Sequence, residues 1–182
     1  DPHYDFIMIP KVPLDTLDFT SYTMNLGSKM IIDATRKHRA VRREQRVMEL
    51  SALRSTLTTS DRRILDVNLI DDTLLLVKAD TPTTNQSVPN PPRDASPGQS
   101  SHPEPPRRNS LLEKVLSLPE LSAIPLIALV SPDVDILDKE SYIWGVFTRF
   151  DCERDVVFTE SKLLGISPIY KGVMGIDATW KI

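Results

Sequence analysis

The sequence is short of most of the groups that chemistry is built from. It has one cysteine, Cys152, so an internal disulfide framework is excluded and a reducing compartment is implied. Its three histidines, His3, His38 and His102, stand too far apart for a helical or knuckle metal site. Aromatic residues make up only 6% of the chain and are missing from its most basic stretch, which removes the stacking platforms that single-stranded nucleic acid needs. No apolar run approaches the roughly 18 residues of a membrane span. The longest, Ile124 to Val130, is strand-sized and contains Pro125. The N-terminus has no basic segment followed by an apolar one, so nothing reads as a secretory signal. A net charge of -3 gives no global pull toward nucleic acid or anionic membrane. These absences predict a soluble, cytoplasmic protein with no nucleic-acid partner and no integral membrane segment. With 40% hydrophobic residues, the chain can still bury a core.

Proline is the exception to this scarcity. Eight of the fifteen prolines lie between Pro82 and Pro106, in a stretch almost empty of large apolar residues, which cannot recover its ordering entropy by burial. Residues 81–108 are therefore expected to be a disordered linker between a unit of residues 1–80 and a unit of residues 109–182. In the second unit, Asn109 or Ser110 caps a short helix over "SLLEKVLSL", with Ser110 and Glu113 in capping-box spacing and Pro119 at its end. "IPLIALV" reads as a strand buried on both faces, and "SPDVDILD" follows it. Tyr142, Ile143, Val146, Phe147 and Phe150 recur at helical spacing and predict a helix from Lys139 to Phe150. "DVVFTE" and "VMGIDAT" read as further strands. Strand, helix and strand in so short a space predict a parallel pair with a right-handed crossover, and hence an α/β layer.

One phrase occurs twice. "GSKMIIDATRK" runs from Gly27 to Lys37 and "GVMGIDATWK" from Gly172 to Lys181. Aligning Asp1 to Asp5 with Asp151 to Asp155 places "FIMIP" on "VVFTE" and keeps the later phrase in order. The first unit thus reads as the tail half of the second, truncated at its start. A half-unit cannot bury one face of its own sheet. The expected fold is α/β, with small mixed or parallel sheet layers, packed helices and a duplicated tail.

Few residues are candidates for chemistry. Asp133, Asp135 and Asp138 could form a hard-cation loop, but the central Gly and closing Glu of an EF-hand are missing. Strand-end carboxylates more often act as caps and turn formers, and Asp138 is placed to cap the following helix. Asp33 or Asp177 could act as an acid or base with Lys37 or Lys181 as charge partner. The plainer reading has Asp and Thr satisfying backbone groups at a strand end with Lys solvated. Duplication favours the plainer reading, since a folding unit repeats more readily than an active site. No catalytic, cofactor-binding or metal-binding residue is assigned.

Between the repeated phrases, Arg36, Lys37, Arg39, Arg42, Arg43, Arg46 and Arg54 face only Glu44 and Glu49. Val47, Leu50, Leu53 and Leu57 follow at near-helical spacing, so a basic amphipathic helix is expected over 39–54; it could contact RNA, an anionic membrane or an acidic partner, but most simply faces an oligomer partner with its basic side solvated. "RRILDVNLIDDTLLLVKAD" carries two β-rich runs about Asp71-Asp72 and reads as a hairpin.

The stretch "DVDILDKESYIWGVFTRFDCERDVVFTES", followed by "GVMGIDATWK", resembles the C-terminal domain of the UbiD family of decarboxylases. That family shows an acidic strand end, a D/V-x-W-A-x-x-T-R helix, D-P-x-R-D before a strand, then L-D-F-x-S and G-S-K-M-G-I-D-A-T. "PLDTLDFTSYTMNLGSKMIIDATRK" supplies the latter half again. The resemblance covers residues 1 to 37 and 120 to 181 and does not extend over residues 38 to 119. It implies a parent carboxy-lyase using prenylated FMN, manganese and a monovalent cation on aromatic or α,β-unsaturated acids, with ubiquinone precursors as the best-known class. It also implies that the flavin, metal and catalytic residues lie in an upstream catalytic domain, while this part serves homo-oligomer contacts and closure of the cleft. The chain opens on Asp1 and reads as a fragment of that parent. The alternative is a non-catalytic interaction module built from duplicated UbiD-like tails.

Overall fold

The computed structural model describes residues 6–15, 25–33, 48–81, 109–165 and 167–181. The first hairpin pairs β1 (Phe6–Asp15) antiparallel with β2 (Asn25–Ile32). Helix α1 (Leu50–Ser60) leads into a second hairpin of β3 (Ile64–Ile70) and β4 (Leu74–Ala79). After the Pro-rich stretch come α2 (Ser110–Leu116), a 3-10 turn at Pro119–Leu121, β5 (Leu126–Val130) and α3 (Lys139–Phe147). The chain closes with the hairpin of β6 (Val156–Leu164) and β7 (Ser167–Ala178).

Five strands form one mixed sheet in the order β3-β4-β5-β7-β6. The inner strands β4, β5 and β7 run parallel, and an antiparallel edge strand flanks them on either side. The period-2 alternation of side chains assigns each face its own cover. Leu75, Val77, Ile127, Leu129 and Val173 share one core with Leu53 and Leu57 of α1 and Leu111, Leu112 and Val115 of α2. Leu76, Ala128, Val130, Met174, Ile176 and Ala178 point the other way and meet Val134, Ile136 and Val146, the last on α3. The result is a sheet between two helical layers, so the expected mixed α/β class is the one observed.

Local chemistry accounts for the element ends. Asp71 and Asp72 adopt positive φ of 48° and 51°, the conformation of a two-residue turn whose twist suits a hairpin. The Asn109 side chain accepts from Leu111 N and the Asp138 side chain from Ser141 N, so each caps its helix. Gly175 is required by packing. A Cβ there would stand 2.6 Å from Leu116 Cδ1, so the missing side chain is what lets α2 lie on β7.

Four expectations need correction. The helix begun at Lys139 ends at Phe147, where Thr148 Oγ1 turns back to Trp144 O at 2.6 Å, and does not reach Phe150. The strand after it, β6, does not pair with β5; the parallel partner of β5 is β7, inserted between them. β7 takes that place because Val173 to Thr179 are buried, whereas β6 carries a polar, exposed run from Thr159 to Lys162. The hairpin β3-β4 was grouped with residues 1–80, yet β4 pairs with β5 over Leu74 to Lys78, so the sheet crosses the expected boundary. The helix expected over 39–54 is seen at Leu50–Ser60, with Leu53 and Leu57 fully buried. Its basic residues Arg36 to Arg46 lie outside the described residues, as does the expected linker, apart from Thr81.

The repeated phrase falls on corresponding strands. Phe6 faces Ile32, Ile7 faces Ile31 and Met8 faces Met30 in the first hairpin. Val156 faces Ile176, Val157 faces Gly175 and Phe158 faces Met174 in the last. The pairing register is therefore the same over these positions. It then breaks on opposite strands: after one further pair, Ile9 with Lys29, the extra residue lies between Ile9 and Val12 of β1, whereas directly after Phe158 it lies between Lys171 and Met174 of β7. The two hairpins touch. The Phe6 ring meets Phe158 edge-on at 5.0 Å between centroids and Tyr170 at 6.2 Å.

Candidate functional site

The largest group of buried polar side chains gathers where β7 ends. Asp151, Asp155, Asp177 and Thr179 are all buried there. Burying carboxylates is costly unless each is paired and hydrogen-bonded. Here the pairing is extensive. Asp177 Oδ1 accepts from Thr179 N at 3.1 Å and Thr179 Oγ1 at 2.6 Å, and Asn109 Nδ2 donates to Asp177 Oδ2 at 3.0 Å. Asp155 Oδ1 accepts from Arg154 Nε at 2.7 Å, its Oδ2 accepts from Asp151 N at 2.8 Å, and the Arg154 guanidinium closes a second bond to that oxygen. Asp151 Oδ1 accepts from Glu153 N at 3.0 Å and Arg154 N at 3.1 Å.

Lys181 completes the group. Its Nζ donates to Asp177 O at 2.7 Å and Thr179 O at 2.9 Å and lies 3.4 Å from Asp177 Oδ1. The plainer reading of Asp-Ala-Thr-x-Lys therefore holds for Asp177 and Thr179 but fails for Lys181, which is not solvated. It folds back because the strand-end carbonyls would otherwise lack donors. Burial pushes the Asp155 carboxyl above its ordinary value, although Arg154 and Lys181 pull it down. Burial likewise lowers Lys181, against the pull of Asp177 and Asp155.

Beside this group, Trp180 N donates to Ser131 Oγ at 2.8 Å, and the Arg149 guanidinium lies 4.1 Å over the Trp180 ring. Arg149 also grips Asp133 with bonds of 2.9 and 2.7 Å, which holds that carboxyl below its usual range. Asp135 Oδ1 accepts from Leu137 N at 2.9 Å, and Asp138 caps α3. The three aspartates after β5 thus form turns, a cap and an ion pair, and they do not converge. His3, His38, His102 and Lys37 lie outside the described residues. Asp33 follows β2. Sequence reasoning missed Arg154, Ser131 and the second role of Asn109. Arg154 was signalled only by the D-C-E-R-D stretch, while Asn109 and Ser131 find their partners 68 and 49 residues away.

An arrangement in which Asp151, Asp155 and Asp177 accept from backbone and neighbouring side chains fastens a strand end. The family model described as 3-octaprenyl-4-hydroxybenzoate carboxy-lyase C-terminal domain matches residues 1–34 and 99–178. The chain belongs to this family.

Within it, the Asp151 to Asp155 and Asp177 to Lys181 stretches form the buried group just described. Among solved structures, this carboxy-lyase C-terminal domain is similar to the UbiD-class enzyme HmfF from Pelotomaculum thermopropionicum, in an evolved dimeric form in complex with prFMN. The identity is 17%, the TM-score 0.44, and the match covers 72% of this chain and 24% of that one. Vanillic acid decarboxylase from Sedimentibacter hydroxybenzoicus, in open form, matches at 17% identity and TM-score 0.46, over 72% of this chain and 26% of that one. The chain thus spans about a quarter of the length of these structures. Among the described residues no helix is long and apolar enough to cross a membrane, which says nothing of β-barrels.

Proposed function

We propose that this chain is the C-terminal, assembly-forming and cleft-closing part of a UbiD-like carboxy-lyase of the cytoplasm. The parent would act on aromatic or α,β-unsaturated carboxylic acids of the ubiquinone- or menaquinone-precursor type. The observation that carries this reading is the family match over residues 1–34 and 99–178. Prenylated FMN would supply the electron sink for carboxylate loss, with manganese beside it, and both would belong to an upstream catalytic domain. The described residues do not fit the metal: no three His, Cys, Asp or Glu among them are placed to hold a metal ion, and the buried carboxylates Asp155 and Asp177 are taken by Arg154, Lys181, Asn109 and Thr179. No chemical step is routed through this chain.

A role in assembly is supported by α3, whose outer side leaves Ile143, Trp144 and Phe147 in solvent beside exposed Leu137. Homo-oligomerisation through this side would cover them. The alternative reading, a non-catalytic interaction module built from duplicated tails, is favoured by the exposed apolar face of the first hairpin.

The test is to express the parent gene with a prenylated-flavin supply, read the flavin absorbance of the purified protein, and follow CO2 release from a panel of aromatic and acrylic acids. Bound flavin with turnover supports the decarboxylase. A folded protein that takes up no flavin and releases no CO2 would leave the interaction module.

A further inference from the structure

The two faces of the five-stranded sheet carry surfaces that complement each other. On the α3 side, Trp144 is 71% and Leu137 74% exposed, with Ile143 and Phe147 beside them. Glu140 lies one turn before Trp144 and so shares its side of the helix. Around this apolar patch the exposed carboxylates of Asp135, Asp138 and Glu140 outnumber the one cation, Lys139. On the other face, between the end of α1, the start of β3 and α2, lies a cavity of about 890 Å3 whose lining includes Arg62, Arg63, Lys114, Asp80 and the exposed Leu65. Its cations outnumber its carboxylates. Arg63 and Lys114 are both paired with Asp61, whereas Arg62 and Glu140 make no ion pair among the described residues. The volume falls within the roughly 300 to 1,000 Å3 of ordinary binding pockets.

We propose that Trp144 of one copy of this chain enters the cavity at Arg62, Leu65 and Lys114 of a second copy, in a head-to-tail contact. The inference rests on the reading of the α3 side as an assembly surface and names what covers it. A guanidinium beside an aliphatic wall suits an indole ring, and Glu140 follows the ring toward the cations of the cavity. Two α3 sides set face to face would instead bring Asp135, Asp138 and Glu140 against their own copies, and like charges in contact oppose association. The sheet also keeps the two surfaces of one chain apart: α3 packs through Val146 on one face, while α1 and α2 cover the other. A chain therefore cannot seat its own Trp144 in its own cavity. The contact uses a different surface on each partner, so it extends to a ring or a row of copies.

Sedimentation velocity on the full chain at about 100 μM tests this. Trp144→Glu spoils the inserted side and Arg62→Glu the receiving side, both at exposed positions, and each should weaken self-association about tenfold or more. Mixed in equal amounts, the two variants keep one intact surface each and should form a one-to-one dimer and nothing larger. Should either variant lose the wild-type circular dichroism spectrum, Leu137→Lys replaces the first and Leu65→Lys the second, with the same pattern expected. Dimers that appear only on mixing support the contact. Association lost in Trp144→Glu and not regained on mixing would point to α3 against α3 and overturn it. Association untouched by either variant overturns it as well, while leaving assembly through another surface in place. A wild-type chain that stays monomeric at this concentration would overturn both the contact and the reading of α3 on which it rests.

Discussion

Asn109 Nδ2 donates to Asp177 Oδ2 over 3.0 Å, which ties the residue that caps α2 to the end of β7 across 68 positions of sequence. The same Asn109 accepts from Leu111 N through Oδ1, so one amide closes a helix end and satisfies a buried carboxylate. Asn109→Ala removes both bonds, and a lost cap alone costs about 1 kcal/mol. With a buried carboxylate left short of a donor, the expected loss is about 2 kcal/mol in urea unfolding. Asn109→Ser retains a cap but not the reach, and should fall between. Equal stability of Ser and wild type would show that the Asp177 bond contributes nothing.

Lys181→Met should cost more. The substitution keeps the length of the side chain but leaves the carbonyls of Asp177 and Thr179 without their donor and two buried aspartates without their nearby ammonium. Breaking such a group by removing one partner is expected to destabilise by about 3 kcal/mol. A change below about 0.5 kcal/mol in denaturant unfolding would mean that Lys181 is effectively solvated.

The acid limb of stability should report Asp61. Its carboxyl is held well below the ordinary range, chiefly by hydrogen bonds from the Arg63 side chain and backbone, with Lys114 adding to them. A folded-state value below the unfolded one gives stability that is present above the ordinary carboxylate range and lost as pH falls through the folded value. Asp133 has the same sign, from Arg149. Asp155 has the opposite sign: its raised value favours the protonated form in the folded state, so its contribution is fully present below the ordinary range and lost as pH rises through the raised value. Urea midpoints between about pH 2 and pH 6 should therefore fall less steeply toward acid in Asp61→Asn than in wild type. An unchanged slope would remove Asp61 from the account.

Gly172 sits at φ +77°, and a Cβ there would fall 2.1 Å from Thr159 Oγ1. Thr159 Oγ1 accepts from Val173 N at 2.9 Å, so the hydroxyl cannot simply turn away. Gly172→Ala should lose about 2 kcal/mol from left-handed strain and overpacking together. Adding Thr159→Ala relieves the contact but not the φ, so thermal unfolding of the double variant should recover only part of the loss. Full recovery would show that the backbone conformation carries no strain.

The helix caps, the Asp71-Asp72 turn and the buried run of β5 were legible because each depends on neighbours within a few residues. Asp138 caps α3 where its spacing predicts, and Ile127, Ala128, Leu129 and Val130 are all fully buried. The polar group at the end of β7 was only half legible. Asp177 and Thr179 bond each other two residues apart, a local pattern; Asn109, Arg154 and Ser131 reach it from other elements, and no spacing announces them.

By itself the sequence aligned residues 6–8 with 156–158 and residues 30–32 with 174–176, and these positions pair in the same register. It also placed Asp138 where it caps the helix that follows β5. Only the tertiary structure decided that β7 would lie between β5 and β6 and that β3-β4 would join their sheet. Strand order is chosen by the apolar area buried on both faces at once, summed over residues more than a hundred positions apart, and no window of sequence contains that sum.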